Sequence, residues 1–344
     1  MVSRGEDSFA APVPARPCRP HRRLSRWLAL PALLLAAACQ PFAQRLTVPV
    51  SRWPGYEFLP LAHARQLDRR EGLELTLRSF ANPQDIVHAY LRGELQIAQL
   101  TTVEAVDLCN RVPKRCPVVV LVLDESRGGD QVLVERSLPS IAALRGRAVA
   151  ITPSTLGPFV LSRALQQHGL GLGDVELRPM PLEAMPQALA RREVVAAALF
   201  PPFSEAAMRS APVRPLFSSR EIPGQIFDVL VVDPAMLDLE RRSLVRLLRA
   251  WQAAHDDLRQ NPQAAIALMA QREGLSAAEF KASLQGLVFL PLARQQALFQ
   301  AGGTLERNLR DLREVQATLG LMPADGPLPR VDGSLIQAAL QPSP

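Results

Sequence analysis

Short apolar stretches alternate with longer amphipathic ones along the chain, which predicts strands alternating with helices. In the first part of the chain the apolar stretch 118–123 is continuous, as is typical of a strand buried on both faces. Strands that alternate with helices favour a parallel sheet with helices on its faces. The predicted strands of this first unit are Leu46–Val50, Leu73–Leu77, Ile97–Leu100 and Val118–Leu123.

The same alternation begins again and predicts a second α/β unit over about 135–225. Its strands are predicted at Gln131–Val134, Ala148–Ile151, Val175–Arg178, Ala196–Phe200 and Val213–Phe217. A further buried strand, Ile226–Val232, follows. Beyond Pro234 the pattern is helical, over about 238–260, 262–273, 276–285 and 292–319. The proline- and glycine-rich tail 323–344 is predicted to be loose.

Two α/β units separated by two crossing segments, Glu125–Gln131 and Gln225–Val229, predict two lobes with a hinge. The predicted boundaries place lobe 1 at 39–128 and 228–322, and lobe 2 at 129–227. In open α/β sheets ligands bind at the carboxyl ends of strands. We therefore expect these ends to face each other across a cleft that hinge closure covers.

The first 38 residues have the features of a secretory signal peptide. Several arginines precede an apolar run, 27–38, that is shorter than the roughly 20 residues needed to cross a bilayer. Small residues directly before Cys39 resemble the bacterial lipobox, which implies cleavage before Cys39 and acylation of its thiol. Signal cleavage without lipid is the alternative. Either outcome places the protein outside the cytoplasm, so we expect no ATP, NAD or other bound cofactor.

Charge gives no argument for nucleic-acid binding. The net charge of the 344 residues is +6, but six arginines against Glu6 and Asp7 put +4 of it in the leader. The remaining 306 residues are close to neutral. Hydrophobic residues make up 48% of the whole chain, and a length of 306 residues suffices for one large domain or two lobes.

Two cysteines remain after the leader and Cys39. Cys109 and Cys116 flank a short proline-bearing loop, which in an oxidising compartment predicts a disulfide. No histidine or acidic residue lies within the loop, so a metal site is not predicted there.

An ordered set of short motifs resembles the type II periplasmic solute-binding proteins of ABC importers, in the nitrate/sulfonate/taurine and thiamine-precursor branch. The motifs are Trp53-Pro54-Gly55-Tyr56, Gly93-Glu94-Leu95-Gln96-Ile97-Ala98, Gly128-Gly129-Asp130, Leu144-Arg145-Gly146-Arg147-Ala148-Val149-Ala150 and Leu156-Gly157. The resemblance implies an α/β, two-lobed fold with a helical C-terminal extension on lobe 1. It also implies a monomer that captures a small ligand by hinge closure and delivers it to an ABC permease in the inner membrane.

Loops after the predicted strands supply candidate ligand contacts. Helix N-termini offer free backbone N–H groups to a ligand, and nearby hydroxyls add donors. The candidates are Thr101 and Thr102, Ser154 and Thr155 with Gly157, and the turn after Phe80. Ordinary N-capping by Thr101 and Ser154 is the other interpretation, and one residue can do both.

Aromatic and acidic residues complete the candidate site. Trp53 and Tyr56 flank Gly55 on the first loop and, with Phe80 and Phe200, are suited to a flat wall for a ring or alkyl group. Packing beneath the loop is the alternative for Trp53 and Tyr56. Asp130 and Asp228 lie at the two crossings, where each suits either a ligand amine or a hinge contact.

At two positions this chain differs from the family that it resembles, and the difference bears on the kind of ligand. Relatives have an aspartate and a glutamate where this chain has Val195 and Pro201. The missing carboxylate favours an anionic or a neutral aromatic ligand.

The alternatives are a sensory binding protein that feeds a membrane receptor and an enzyme of the thiamine-pyrimidine type on the same fold. The enzyme would need a lysine and a histidine in the cleft. Lys114 and Lys281 lie outside the predicted cleft loops, and no Gly-x-Ser-x-Gly or Walker motif occurs. We therefore expect no enzymatic activity.

Overall fold

The structure, a computed structural model, describes residues 44–342. The predicted signal peptide 1–38 and Cys39 lie outside these residues. Between residues 44 and 342, every helix is too short or too polar to cross a membrane.

Two mixed sheets form the centres of the two lobes. The sheet of lobe 1 has the order β11-β4-β10-β3, with β12 beside β4, and a parallel pair β1-β2 accompanies it. These strands are β1 (Gln44–Val50), β2 (Leu73–Ser79), β3 (Ile97–Thr101), β4 (Val118–Ser126), β10 (Phe227–Val232), β11 (Leu287–Val288) and β12 (Arg330–Val331). The sheet of lobe 2 has the order β7-β6-β8-β5-β9. Its strands are β5 (Gln131–Glu135), β6 (Ala148–Ile151), β7 (Glu176–Pro179), β8 (Ala196–Leu199) and β9 (Val213–Ser218).

The strands match the predicted ones closely, but the sheets are not wholly parallel. In lobe 1, β10 runs antiparallel to both β3 and β4. In lobe 2, β5 runs antiparallel to both β8 and β9. The antiparallel direction follows from the two crossings. Strand β10 begins beside the ends of β3 and β4, and β5 begins beside the ends of β8 and β9. Both crossings therefore lie at the carboxyl ends of the neighbouring strands.

Helices cover the two sheets. Lobe 1 has α1 (Phe58–Ala64), α2 (Leu67–Arg70), α3 (Pro83–Leu91) and α4 (Thr102–Arg111). Lobe 2 has α5 (Leu156–Gln166), α6 (Met185–Ala190) and α7 (Phe203–Ser210), with 3-10 turns at Ile141–Leu144 and Leu182–Ala184.

The C-terminal extension packs on lobe 1. Its longest helix buries Leu244, Leu247 and Trp251, and it contacts α1 and α2. The helices of the extension are α8 (Pro234–Leu239), α9 (Arg241–Gln260), α10 (Pro262–Glu273), α11 (Ala277–Leu284), α12 (Leu292–Gln295), α13 (Thr304–Thr318) and α14 (Ser334–Leu340). The helix predicted over 292–319 is interrupted around Gly302 and Gly303, so it forms α12, a 3-10 turn and α13.

The prediction that 323–344 is loose is wrong for most of the tail. Strand β12 pairs with the edge of β4, and α14 packs against α9. Three apolar side chains of α14, Leu335, Ile336 and Ala339, are buried. The prolines of the tail led to the prediction of a loop, although a short amphipathic helix follows them. The apolar face of this helix packs on lobe 1.

Cys109 and Cys116 form a disulfide. It joins the last turn of α4 to the segment that enters β4, next to the core of lobe 1.

Two serines link the first crossing to the segment directly after β9. The hydroxyls of Ser126 and Ser219 lie 2.8 Å apart, and Gly128 N donates to Ser219 Oγ over 2.6 Å. From the extension, Gly286 O accepts a hydrogen bond of 2.8 Å from Arg127 N. The extension thus contacts the first crossing directly.

Candidate functional site

A cleft lies between the ends of the two sheets, where the crossings meet. The space between its walls, including the open mouth, is about 550 Å³. The cavity that water can occupy inside it is only about 30 Å³. That is room for a few waters at most. The walls are therefore close together, and a ring-sized ligand requires them to separate.

The register of three strands brings the polar groups of the lobe 1 wall together. Asp228 begins β10 and lies opposite Thr101 on β3 and opposite Asp124 on β4. Thr101 and Asp228 line the cleft, whereas Asp124, on the other side of Asp228, is not among the lining residues. The antiparallel return of β10 is what places these three residues in one row.

The first loop holds its two aromatic side chains by hydrogen bonds to that row. Trp53 Nε1 donates to Asp124 Oδ2 over 3.1 Å, and the Tyr56 hydroxyl donates to Asp228 Oδ1 over 2.6 Å. Gly55 is required between them, because a Cβ atom there would lie 1.7 Å from Asp124 Oδ2. Trp53 and Tyr56 are buried and also line the cleft, so both predicted roles, packing beneath the loop and forming a wall of the site, are compatible with their positions.

Glu104 joins the same wall through a capping box at the start of α4. Thr101 Oγ1 accepts from Glu104 N over 3.2 Å, and Glu104 Oε2 accepts from Thr101 N over 3.0 Å. Thr101 therefore caps the helix and lines the cleft at once. Burial raises the pKa of the Glu104 carboxyl to about 7, although the bonds from Thr101 oppose that shift.

The aspartates of the cleft are also shifted. Burial raises the pKa of Asp130 to about 6 and that of Asp124 to about 7. For Asp228 burial is again the main cause, and the charges of Asp124 and Asp130 raise its pKa further. Asp130 Oδ2 and Asp228 Oδ2 are buried without any hydrogen-bond partner.

The lobe 2 wall offers hydroxyls and a helix N-terminus. The hydroxyls of Thr152 and Ser154 lie 2.9 Å apart at the end of β6, and α5 begins just beyond them. A Cβ atom on Gly157 would lie 2.6 Å from Thr152 Oγ1, so glycine allows the helix to approach the strand. Phe200 meets Trp53 edge-to-face across the cleft at 5.3 Å.

The structure brings most of the predicted site residues together. Those that line the cleft are Trp53, Tyr56, Thr101, Asp130, Ser154, Gly157, Phe200 and Asp228. Asp130 serves the hinge as well, because its N–H donates to Ser126 Oγ and its carbonyl accepts from Ser219 N.

Four predicted residues do not line the cleft. Gly55 lies beneath it against Asp124. Phe80 is half-buried under the guanidinium of Arg78, 4.9 Å from its ring centre. Thr102 Oγ1 accepts from Phe227 N over 3.4 Å, and the buried hydroxyl of Thr155 has no partner.

Sequence reasoning missed part of both walls. The missed lining residues are Pro83, Gln84, Glu104, Thr152, Leu156, Val160, Leu182, Ala198 and Leu199. Asp124, which does not line the cleft, was missed too. A charged residue at the end of the apolar run 118–123 was a usable signal, since strand ends carry sites in α/β folds.

The cleft is acidic, which disfavours the predicted anionic ligand. Glu104, Asp130 and Asp228 line it, and none of the lining side chains is basic. Val195 and Pro201 supply no carboxylate, but a helix, the first crossing and strand β10 each contribute one acidic side chain to the cleft. No lysine, histidine or cysteine is among the lining residues, and residues 44–342 contain no cluster of side chains suited to a metal ion.

Comparison with known proteins gives weak sequence similarity and close structural similarity. A protein of Brucella abortus (strain 2308) assigned as a binding protein is 22% identical over 251 residues, which span 72% of this chain and 77% of that protein. The alkanesulfonate-binding protein SsuA from Xanthomonas axonopodis pv. citri, bound to MOPS, superposes with a TM-score of 0.68 at 17% identity. That superposition covers 81% of this chain and 94% of SsuA.

Two further structures have the same fold. The periplasmic nitrate-binding protein NrtA from Synechocystis PCC 6803 has a TM-score of 0.68 at 11% identity, over 86% of this chain and 88% of NrtA. The desulfurization enzyme DSZB has a TM-score of 0.62 at 18% identity, over 86% of this chain and 99% of DSZB. Both binding proteins and an enzyme thus share this architecture.

The family profile is the decisive comparison, because it matches residues 42–272, about two thirds of the chain. The matched range contains both sheets' central strands, both crossings and every residue that lines the cleft. The chain therefore belongs to the NMT1-like family, with the two-lobed α/β fold of the periplasmic binding proteins.

Proposed function

We propose that this protein is the extracytoplasmic solute-binding component of an ABC importer, and that it captures a small ligand between its lobes. The observation that carries the proposal is the interlobe cleft, where aromatic side chains converge with Asp130 and Asp228, each of which has one buried carboxylate oxygen without a hydrogen-bond partner. Buried polar groups without partners are costly, so a ligand that supplies donors stabilises the closed protein. The family and the fold support the same function.

Contacts across the cleft support capture by hinge closure. Arg209 of lobe 2 donates to Glu279 of the extension over 2.5 Å, and Asn82 of lobe 1 donates to Glu183 of lobe 2 over 3.4 Å. The guanidinium of Arg52 lies 5.1 Å from the ring centre of Phe203. These contacts hold the walls together, and each must break for a ligand to enter. We place the hinge at the crossings, with lobe 2 at 129–227.

Trp53→Phe should weaken ligand capture about tenfold, because it removes the bond to Asp124 and part of the aromatic wall. The ligand is first found by thermal-shift screening of nitrate, alkanesulfonates, taurine, pyrimidines, amines and amidines. A ligand at 100 times its Kd stabilises the protein by about 2.7 kcal/mol.

Trp251→Phe is the matched control, since Trp251 is equally buried but packs in the extension against Phe58 and His255. It should leave the Kd unchanged. Equal Kd values for the wild type and Trp53→Phe would place the ligand somewhere other than this cleft.

We also propose that the protein is a lipid-anchored monomer facing the periplasm, with Cys39 as the acylated residue. Cys39→Ser should then move the protein from the membrane fraction to the soluble periplasmic fraction after cell fractionation. Cys109→Ser is the control, because it changes a cysteine that lies in a disulfide. Persistence of the Cys39→Ser protein in the membrane fraction would contradict lipid anchoring through Cys39.

A further inference from the structure

We infer that the cleft selects a small cationic nitrogen base with a flat apolar body, and that its capture releases to solvent a proton held between Asp124 and Asp228. This inference rests on the proposed solute-binding function and names the ligand class of the same site.

The two aspartates form a pair that holds a proton. They are opposite each other on the neighbouring strands β4 and β10, so their side chains are cross-strand neighbours. Each accepts one bond from the aromatic loop, which leaves Asp124 Oδ1 and Asp228 Oδ2 buried without a donor. Two buried carboxylates side by side cannot both ionise cheaply, so one proton shared between them satisfies both remaining oxygens.

A third carboxylate points to a ligand independently of that pair. Asp130 is only 3% exposed, it lines the cleft, and its Oδ2 atom has no partner. It comes from the first crossing, whereas Asp228 comes from the second. Ligand N–H groups between the lobes would donate hydrogen bonds to Asp130 from the first crossing and to Asp228 from the second. The bound ligand would therefore stabilise the closed arrangement of the lobes.

The other charged groups near the pair do not offset it. Glu104 on α4 faces the cleft, and the Tyr56 hydroxyl already donates to Asp228. Glu125, next to Asp124 on β4, is engaged by Arg127 and by Gly224 N. No basic side chain lines the cleft, so the negative charge is compensated only by what binds there.

The wall of lobe 2 contributes less electrostatic potential to the cleft than the carboxylates do. The N-terminus of α5 corresponds to about half a positive charge, which is weaker than one full carboxylate at the same distance. The Thr152 and Ser154 hydroxyls can accept as well as donate. A positive ligand is thus favoured by the charges that are fixed in the cleft.

The apolar side chains define the rest of the ligand. Trp53 and Phe200 meet edge-to-face, and Leu156, Val160 and Leu182 line the wall of lobe 2. Such a wall suits a single ring or a short alkyl body.

The pH dependence of capture follows from the carboxyl groups. Burial raises the pKa of Asp130 to about 6 and the pKa values of Asp124 and Glu104 to about 7. A cation binds best to ionised carboxylates, so its affinity should rise between pH 5.5 and 8. The affinity for a neutral ligand of the same shape should not rise.

Benzamidinium, benzamide and benzoate make a matched probe series, because they share one shape and differ in charge. Isothermal titration of the full chain should give Kd values in the order benzamidinium, benzamide, benzoate, with the cation tightest. Titrations at pH 7 in two buffers of different ionisation enthalpy should show release of about one proton per benzamidinium bound. Benzamidinium should bind about tenfold more tightly for each pH unit gained across the range where one carboxyl ionises.

Asp228→Asn should weaken benzamidinium binding by about 10- to 100-fold, since it removes a charge-assisted hydrogen bond, and should reduce proton release, since the shared proton of the pair is lost. Asp238→Asn is the control, because Asp238 is exposed and outside the cleft. Asp130→Asn is the second variant, in case Asp228→Asn does not fold.

Three results would overturn the inference: no benzamidinium binding up to about 10 mM, tighter binding of benzoate, or no proton release. Binding of benzoate that Trp53→Phe weakens would leave solute capture in the cleft intact while rejecting a cationic ligand. Failure of the whole screen of nitrate, sulfonates, pyrimidines, amines and amidines would count against solute capture itself.

Discussion

The ligand-free protein should lose stability as the pH rises from about 5 to about 8, and Glu104 alone should account for about 3 kcal/mol of that loss. Its carboxyl has a pKa of about 7 in the folded protein against an ordinary value of 4.5. Between these two values the folded state keeps a proton that the unfolded state has released. Stability is therefore highest below the unfolded pKa and is lost as the pH rises through the folded pKa.

The measurement is urea denaturation at several pH values, with the free energy of unfolding extrapolated to water. Glu104→Gln should remove about 3 kcal/mol of the pH dependence between pH 5 and 8. Glutamine preserves the reciprocal cap with Thr101, because the capping box accepts Glu or Gln at this position. The variant therefore separates the titration from the helix cap.

A second capping box in the same protein is the matched control. Ser276 and Glu279 make the same reciprocal bonds at the start of α11, but Glu279 is only partly buried, and the bonds from Ser276 lower its pKa. Glu279→Gln should leave the slope between pH 5 and 8 unchanged. A wild-type stability that increases with pH over this range would contradict the idea that protonated carboxyls are buried in the cleft.

The fold was largely predictable from sequence because apolar periodicity is a local property. Strands such as β4 and β10 are short runs of branched apolar residues, and their bounds agree with the prediction within a few residues. The direction of β10 was not predictable in this way, because it depends on where the chain re-enters the sheet. The short helix α14 was missed because proline and glycine dominate the segment before it.

The site was predictable where one loop carries it, and was missed where distant segments meet. Trp53 and Tyr56 stand on one loop, so their spacing alone indicated a wall. Glu104 was missed, because its proximity to Asp228 depends on the register between β3 and β10. The acidic character of the cleft arises from three different segments, and no single stretch of sequence contains it.

A buried ion pair ties the aromatic loop to the C-terminal extension. Arg272, in the last turn of α10, donates from Nε to both oxygens of Glu57 over 2.7 Å and from Nη2 to Ser51 O over 2.8 Å. Glu57 is fully buried, and Ser51 and Glu57 enclose the loop that carries Trp53 and Tyr56. Glu273 lies against Glu57 and the Trp53 backbone. Burial and the charge of Glu57 raise the pKa of the Glu273 carboxyl.

Arg272→Met should therefore destabilise the protein by about 3–5 kcal/mol, because it leaves the Glu57 carboxylate buried without a counter-charge. Urea denaturation measures this loss, and tryptophan fluorescence reports whether the Trp53 loop moves. Arg45→Met is the control, since Arg45 pairs with Glu74 at an exposed site, where an ion pair contributes less than about 1 kcal/mol. Adding Glu57→Gln to Arg272→Met should recover part of the stability, because a neutral amide replaces the uncompensated charge. Equal losses from Arg272→Met and Arg45→Met would mean that the extension does not hold the loop through this pair.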